Sequence, residues 1–250
     1  MKIAIVTGAS SGLGWEFVKQ IEKKYRGIEE IWVIARRADR LSALQKECKI
    51  PLRQLAMDLS EPEAFAELSR MLEKEKPDVK ILINAAGYGK IGRFEEIQFA
   101  DEMGMITLNC EALCKVTYLI LPYISDNSRI LQMASSAAFL PQPGFAVYAA
   151  TKSFVLSFSR ALNQELRAKN ISVTAVCPGP VKTEFFDIAE TTGKMAIYKL
   201  LVMADPGKVV RTALFDADCG KTVSVYGIKM KAFYLLSKIL PHDWILPFFK

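Results

Sequence analysis

Histidine is almost missing from this 250-residue chain: the one present, His242, lies near the end between Pro241 and Asp243. A histidine-centred triad or a histidine metal site would rest on it alone, and an exposed surface position is its ordinary reading. The five cysteines, Cys48, Cys110, Cys114, Cys177 and Cys219, are an odd set without a CxxC pair. That disfavours both a zinc site and a disulfide framework, so no metal is expected and a reduced, cytoplasmic setting fits. No window holds the roughly 18 to 20 unbroken apolar residues of a spanning helix. The opening MKIAIVTGAS runs at once into turn residues, without the charged start, long apolar stretch and cleavage site of a signal peptide. Net charge is +6, but the basic residues are scattered among 27 acidic ones, so no nucleic-acid footprint is formed.

What is present is a rhythm. Short apolar, often β-branched runs recur at 3–6, 31–34, 52–56, 79–83, 129–133, 171–176 and 222–225 and read as strands buried on both faces. Between them, 12–25, 38–48, 62–75, 100–122, 148–169 and 207–217 place apolar residues at helical spacing. This alternation predicts an α/β, Rossmann-like, doubly wound parallel sheet of about seven strands with helices on both faces. With 51% hydrophobic residues, the whole of 1–250 can form one domain. Two parts break the rhythm: 183–204, expected to bind substrate, and an amphipathic tail, 227–250.

The first strand-to-helix turn is TGASSGLG, with Gly8, Ser10, Ser11, Gly12, Leu13 and Gly14. Small residues let backbone approach a diphosphate, and free N–H groups with the helix dipole favour its charge. The same turn can also be a structural corner. Strand two ends in Ala35, Arg36 and Arg37, where a carboxylate would favour NAD. Arginine instead matches a ribose 2′-phosphate, so NADP(H) is expected over NAD(H). Solvated loop charge is the alternative, since Asp39 and Arg40 follow.

SSAAFLPQPGFAVYAATK, 135–152, leads from strand five into a helix, with Tyr148 and Lys152 four apart and hence on one helical face. A nearby ammonium is expected to lower the phenol's pKa and make it a usable general acid.

Together, TGASSGLG, NAAG at 84–87, the Ser135, Tyr148 and Lys152 set, and PGPVKT at 178–183 resemble, in order, the motifs of the short-chain dehydrogenase/reductase family. The resemblance implies an oxidoreductase moving a hydride between nicotinamide and a carbonyl or secondary alcohol. Tyr148 would pass the proton, and Lys152 would hold the nicotinamide ribose. Ser135, thirteen residues before the tyrosine, would polarise the carbonyl, with Ser136 as runner-up. Asn109 would hold a water linking Lys152 to solvent. Asp58 and Leu59 would fix the adenine, and Asn84, Ala85, Ala86 and Gly87 would support the sheet centre and the adenosine ribose. Pro178, Gly179, Val181 and Thr183 would meet the nicotinamide. Read without the family, Asp58 is a helix-start aspartate and the glycines and proline are turns. A homodimer or homotetramer is implied through the helices of Asn109 and Tyr148.

The sequence departs from the family at Phe139, where many members carry glycine, which is expected to narrow the substrate mouth. With Phe145, Phe185, Phe186, Ile188, Met195, Tyr198 and Met203 it suggests an apolar pocket, although such residues are as often plain core. The tail mixes Lys229, Lys231 and Lys238 with Phe233, Tyr234, Leu235, Leu236, Trp244, Phe248 and Phe249. It can pack over the cleft or a second subunit, or lie on a membrane as a peripheral contact. A non-catalytic NADP(H)-binding sensor or scaffold is the alternative function.

Overall fold

The computed structural model describes residues 1–189 and 203–246. Seven parallel strands form one sheet in the order β3-β2-β1-β4-β5-β6-β7. They are β1 Lys2–Thr7, β2 Glu30–Ala35, β3 Leu52–Ala56, β4 Asp78–Asn84, β5 Ile124–Met133, β6 Ser172–Val176 and β7 Val223–Ser224. The order reverses between β1 and β4, so both strands open at their carboxyl ends onto one crevice, the place where such sheets take ligands.

Alternating residues supply the two cores. Ala4, Val6 and Val33 pack with helices α1 (Gly12–Lys24) and α2 (Ala38–Glu47) on one face. Ile3, Ile5, Trp32 and Ile34 pack on the other with α3 (Pro62–Glu75) and a longer helical run. That run is α4 (Phe99–Ile106), a π-helical turn at Thr107–Ala112, and α5 (Leu113–Ile120). Burial on both faces, expected from the continuous apolar runs, holds for inner strands such as β1 and β2. It does not hold for the edge strand β3, where no further strand lies beyond and Gln54 and Ala56 are exposed.

Downstream come α6 (Ala146–Leu166), α7 (Phe185–Ala189), α8 (Pro206–Asp218), α9 (Ile228–Ile239) and α10 (His242–Ile245). Proline at the first position starts α3 and α8, and Asp205 caps α8 by accepting from Lys208 N at 2.9 Å. β5 begins five residues earlier than the apolar run, with Asn127 in a left-handed conformation. α6 begins two residues before Tyr148, and its C-terminal extension ends at left-handed Asn170.

Phe99–Tyr123 is, by average composition and length, apolar enough to cross a membrane, although the run is broken by Asp101, Glu102, Asn109, Glu111 and Lys115. Its inner side packs on the sheet through Val116 and Ile120. Met195 and Tyr198, and Phe248 and Phe249 of the tail, lie outside the described residues.

Candidate active site

Two glycines of the first turn, Gly8 and Gly14, are demanded by space, and Gly12 by its left-handed backbone (φ +56°). Gly8 has φ +68°, and a β-carbon there would sit 2.6 Å from the Ala85–Ala86 backbone. One on Gly14 would overlap the Gly8 carbonyl. Thr7 Oγ1 accepts from Ala85 N and Ala86 N, both at 3.1 Å, and so locks the ends of β1 and β4 together. Helix α1 starts at Gly12 with no side-chain cap and no acidic residue in its first turn. Ser11, Gly12 and Leu13 therefore present backbone at a positive helix end, which fits the diphosphate of a dinucleotide.

Asn84 goes elsewhere. Its Nδ2 donates to Thr117 Oγ1 (3.0 Å) and Gln132 Oε1 (2.9 Å) in the core, so its side chain holds the sheet centre rather than reaching the crevice. Gly87 does reach it. A side chain there would start 2.7 Å from Asn109 Oδ1 and 3.5 Å from Lys152 Nζ.

Asn109 is fully buried in the π-helical turn. It donates to Tyr88 O (2.9 Å) and Thr151 Oγ1 (3.1 Å) and accepts from Tyr88 N (3.0 Å). The side chain is thus a clamp between the loop after β4 and helix α6. π-turns of this kind recur at functional sites because the extra residue re-aims the helix face. Tyr88 and Thr151 were not found from the sequence; neither has a local signature, and each contacts Asn109 only through the fold.

Tyr148 and Lys152 share one face of α6, with the ammonium 5.6 Å from the phenol ring centre. Tyr148 is 6% exposed, stacked on Phe145 (4.2 Å) and tilted against Phe185 (5.5 Å). Lys152 Nζ donates to Met133 O at 2.7 Å. The expected lowering of the phenol pKa is not found. Burial pushes Tyr148 up to about 12, against a hydrogen bond with Ser135 that pulls it down. Burial likewise brings Lys152 down to about 8. Desolvation is the largest influence on both enclosed groups.

Ser135 Oγ accepts from Ala137 N at 3.1 Å and starts the short turn Ser136–Phe139. Ser136 instead donates its backbone N–H to Pro178 O at 2.8 Å, which ties the catalytic loop to the end of β6. Of the two serines, it is Ser135 whose hydroxyl lowers the tyrosine's pKa.

Phe139 does not line the mouth. It is buried under the tail, 5.9 Å from the Phe233 ring and 4.7 Å from that of Tyr234. Gly179 is covered by Met230 of the same helix, whose Sδ would lie 2.7 Å from a β-carbon. Helix α9 thus packs on the site, while Leu235, Leu236, Ile239 and Trp244 remain exposed. An apolar hollow of about 450 Å³ lies beside it, lined by Phe139, Pro141, Ala146, Ser153, His242 and Leu246.

At the end of β2 the two arginines part. Arg36 is largely exposed, 3.7 Å from Asp58, whose Oδ1 also accepts from Ser60 N in a turn that buries Leu59. Arg37 lies across the glycine turn. Its Nε and Nη2 donate to Ser10 Oγ at 3.3 and 3.2 Å, and its Nη1 pairs with Glu184 at 3.0 Å. Arg40 pairs with the other oxygen of Glu184. Val181 is buried and bridges to Ala204, and Thr183 sits against Gly12, 3.4 Å from where its β-carbon would be. The sequence alone singles out neither Arg40 nor Glu184, because their pairing exists only in the folded chain.

The sequence profile of the short chain dehydrogenase family matches residues 2–192. The chain is 28% identical to a probable short-chain type dehydrogenase/reductase, VdlC, of Helicobacter pylori, over 97% of this chain and 94% of that protein. It is 30% identical to the very-long-chain 3-oxoacyl-CoA reductase of Homo sapiens, over 76% of this chain but 62% of the reductase's length. A short-chain dehydrogenase from Sphingobium yanoikuyae, solved with NADPH, superimposes with a TM-score of 0.82 and 27% identity, covering 98% of this chain and 95% of that one.

Proposed function

The chain belongs to the short-chain dehydrogenase family, oxidoreductases that interconvert CH–OH and C=O with a nicotinamide cofactor, and from that premise we propose that it is an NADP(H)-dependent reductase of an apolar carbonyl. One observation carries the reading: an enclosed phenol, Tyr148, has Lys152 on its own helical face and is acted on by the Ser135 hydroxyl, in a fold whose first turn leaves no room for side chains at Gly8 and Gly14.

The bound cofactor supplies or accepts the hydride. Ser135 orients and polarises the carbonyl oxygen, and Tyr148 donates the proton to it. A phenol this reluctant to ionise needs a positive charge as the proton leaves, and Lys152 is the cation within reach. Asn109 holds Tyr88 and Thr151 in place, and a water held beside it would carry a proton from solvent back to Lys152 after Tyr148 has given its own to the substrate.

Arg37, held by Ser10 where a carboxylate would select NAD, supports NADP(H), as does the likeness to a structure solved with NADPH. Phe145 and Phe185 against the tyrosine ring, with Phe186 edge-on to Phe185, support an apolar substrate. Exposed Ile106, Tyr118 and Phe154, on the outer sides of α4, α5 and α6, support association of chains through those helices.

The test is oxidation of NADPH against a panel of apolar ketones and aldehydes, with NADH in parallel. Turnover faster with NADPH is expected. Cofactor binding without turnover on any of them would make the chain a sensor, and equal use of NADH would overturn the cofactor assignment.

A further inference from the structure

The surroundings of Arg37 hold an anion already. Glu184 follows Thr183, the residue seated over Gly12, and its two carboxylate oxygens are divided between Arg37 and Arg40. The base of this segment is pinned by Lys182 N donating to Ala204 O (3.1 Å) and Ala204 N donating to Pro180 O (2.8 Å). Its far end is pinned by Ile91 N donating to Ala189 O (2.8 Å). Between these points the segment reaches from the glycine turn to the guanidinium pair, 147 residues away from Arg37 in sequence.

A carboxylate shared by two guanidiniums and a phosphate monoester shared by the same two make the same kind of contact: charged oxygens facing planar donor forks. The three side chains are 35 to 43% exposed, so a soluble anion can reach them. Burial pushes the Glu184 carboxyl up, but the two arginines more than reverse this and hold it below its ordinary value, so it is an anion at neutral pH.

Resting on the NADP(H) reading above, we propose that Arg37 and Arg40 together form the 2′-phosphate site, and that Glu184 is an internal counter-ion occupying it, which the cofactor's 2′-phosphate displaces. Arg40 is thereby a cofactor ligand, and Glu184 sets how tightly phosphorylated and unphosphorylated cofactors are told apart. NADH has no phosphate to exchange for the carboxylate, so Glu184 acts on NADPH affinity alone. The half-exposed ion pairs bound the effect, since each is worth a small factor in an equilibrium constant.

The experiment measures dissociation constants of NADPH, NADH, adenosine 2′,5′-bisphosphate and adenosine 5′-monophosphate for the full chain, Glu184→Gln, Arg40→Ala and Arg37→Ala. Glu184→Gln is expected to tighten NADPH and the bisphosphate about three- to tenfold and to leave NADH and the monophosphate within about twofold. Arg40→Ala is expected to weaken only the two ligands that carry the 2′-phosphate. Unchanged NADPH affinity in Glu184→Gln, with both arginine variants still losing NADPH preference, would overturn the counter-ion role and leave the cofactor reading standing. Equal NADPH and NADH affinity in the unaltered chain, insensitive to either arginine, would sink the cofactor reading and this inference with it. Weaker NADH binding in Glu184→Gln would make Glu184 a ribose ligand and overturn the proposal as well.

Discussion

Lys152 is a buried cation whose pKa burial brings from its ordinary 10.5 to about 8, and this fixes how stability changes with pH. Between those two values the unfolded chain binds a proton that the folded chain has released, so unfolding becomes harder as pH rises through the interval. At about 1.4 kcal/mol per pH unit, the burial penalty is about 3 kcal/mol; it is present in full below about pH 8 and gone by 10.5. Lys152→Met removes the penalty at every pH. It also leaves Met133 O without its 2.7 Å donor, at a cost of about 1–3 kcal/mol that does not depend on pH. Tyr148, raised to about 12, lends stability that is lost only above about pH 10, and it does so in both proteins. The difference in unfolding free energy, variant minus parent, should therefore fall by about 3 kcal/mol between pH 7 and 10.5. Urea denaturation at half-unit pH steps, without cofactor, reads this directly. A difference that stays flat across the range would show that Lys152 is not a desolvated cation in the resting protein, and the electrostatic account of the site would have to be abandoned.

Three further outcomes follow from particular contacts. Tyr148→Phe keeps the ring between Phe145 and Phe185, so NADPH titration should be nearly unaltered while turnover drops by at least about two orders of magnitude; undiminished turnover would assign the proton donor elsewhere. Gly87→Ala drives a methyl between Asn109 and Lys152 and should cost about 1–3 kcal/mol in thermal or chemical unfolding together with most of kcat; a variant of parental stability and activity would mean that the clamp yields freely. Phe233→Ala uncovers Phe139 beneath the tail helix and, because Phe233 is itself only partly buried, should destabilise the chain by about 1–2 kcal/mol, whereas parental stability combined with lost binding to anionic vesicles would return the tail to the membrane surface.

Both ends of the site were legible in the residues because their geometry is local. Gly14 answers to the Gly8 carbonyl in the same turn, and the four-residue step from Tyr148 to Lys152 is set by helical pitch. The positive φ of Gly8 belongs to that turn as well, although the backbone it must clear, Ala85–Ala86, comes from the loop after β4. Phe139 was misjudged as part of a mouth because the helix that covers it begins at Ile228, about ninety residues further on. The lowered tyrosine pKa was expected from charge proximity alone. How deeply both groups are enclosed depends on Phe145, Phe185 and Met133, which come from three different elements.

By itself the sequence determined the alternation of strands and helices, the glycine corner and the phenol–amine pair, since apolar periodicity and short spacings act over a few residues. Only the tertiary structure decided that Asn109 clamps Tyr88 to Thr151, that Arg37 rather than Arg36 faces the glycine turn, and that Glu184 answers Arg37 and Arg40. The physical reason is that charge pairing and desolvation depend on distances in space, and the order of strands in the sheet brings together groups that the chain keeps far apart.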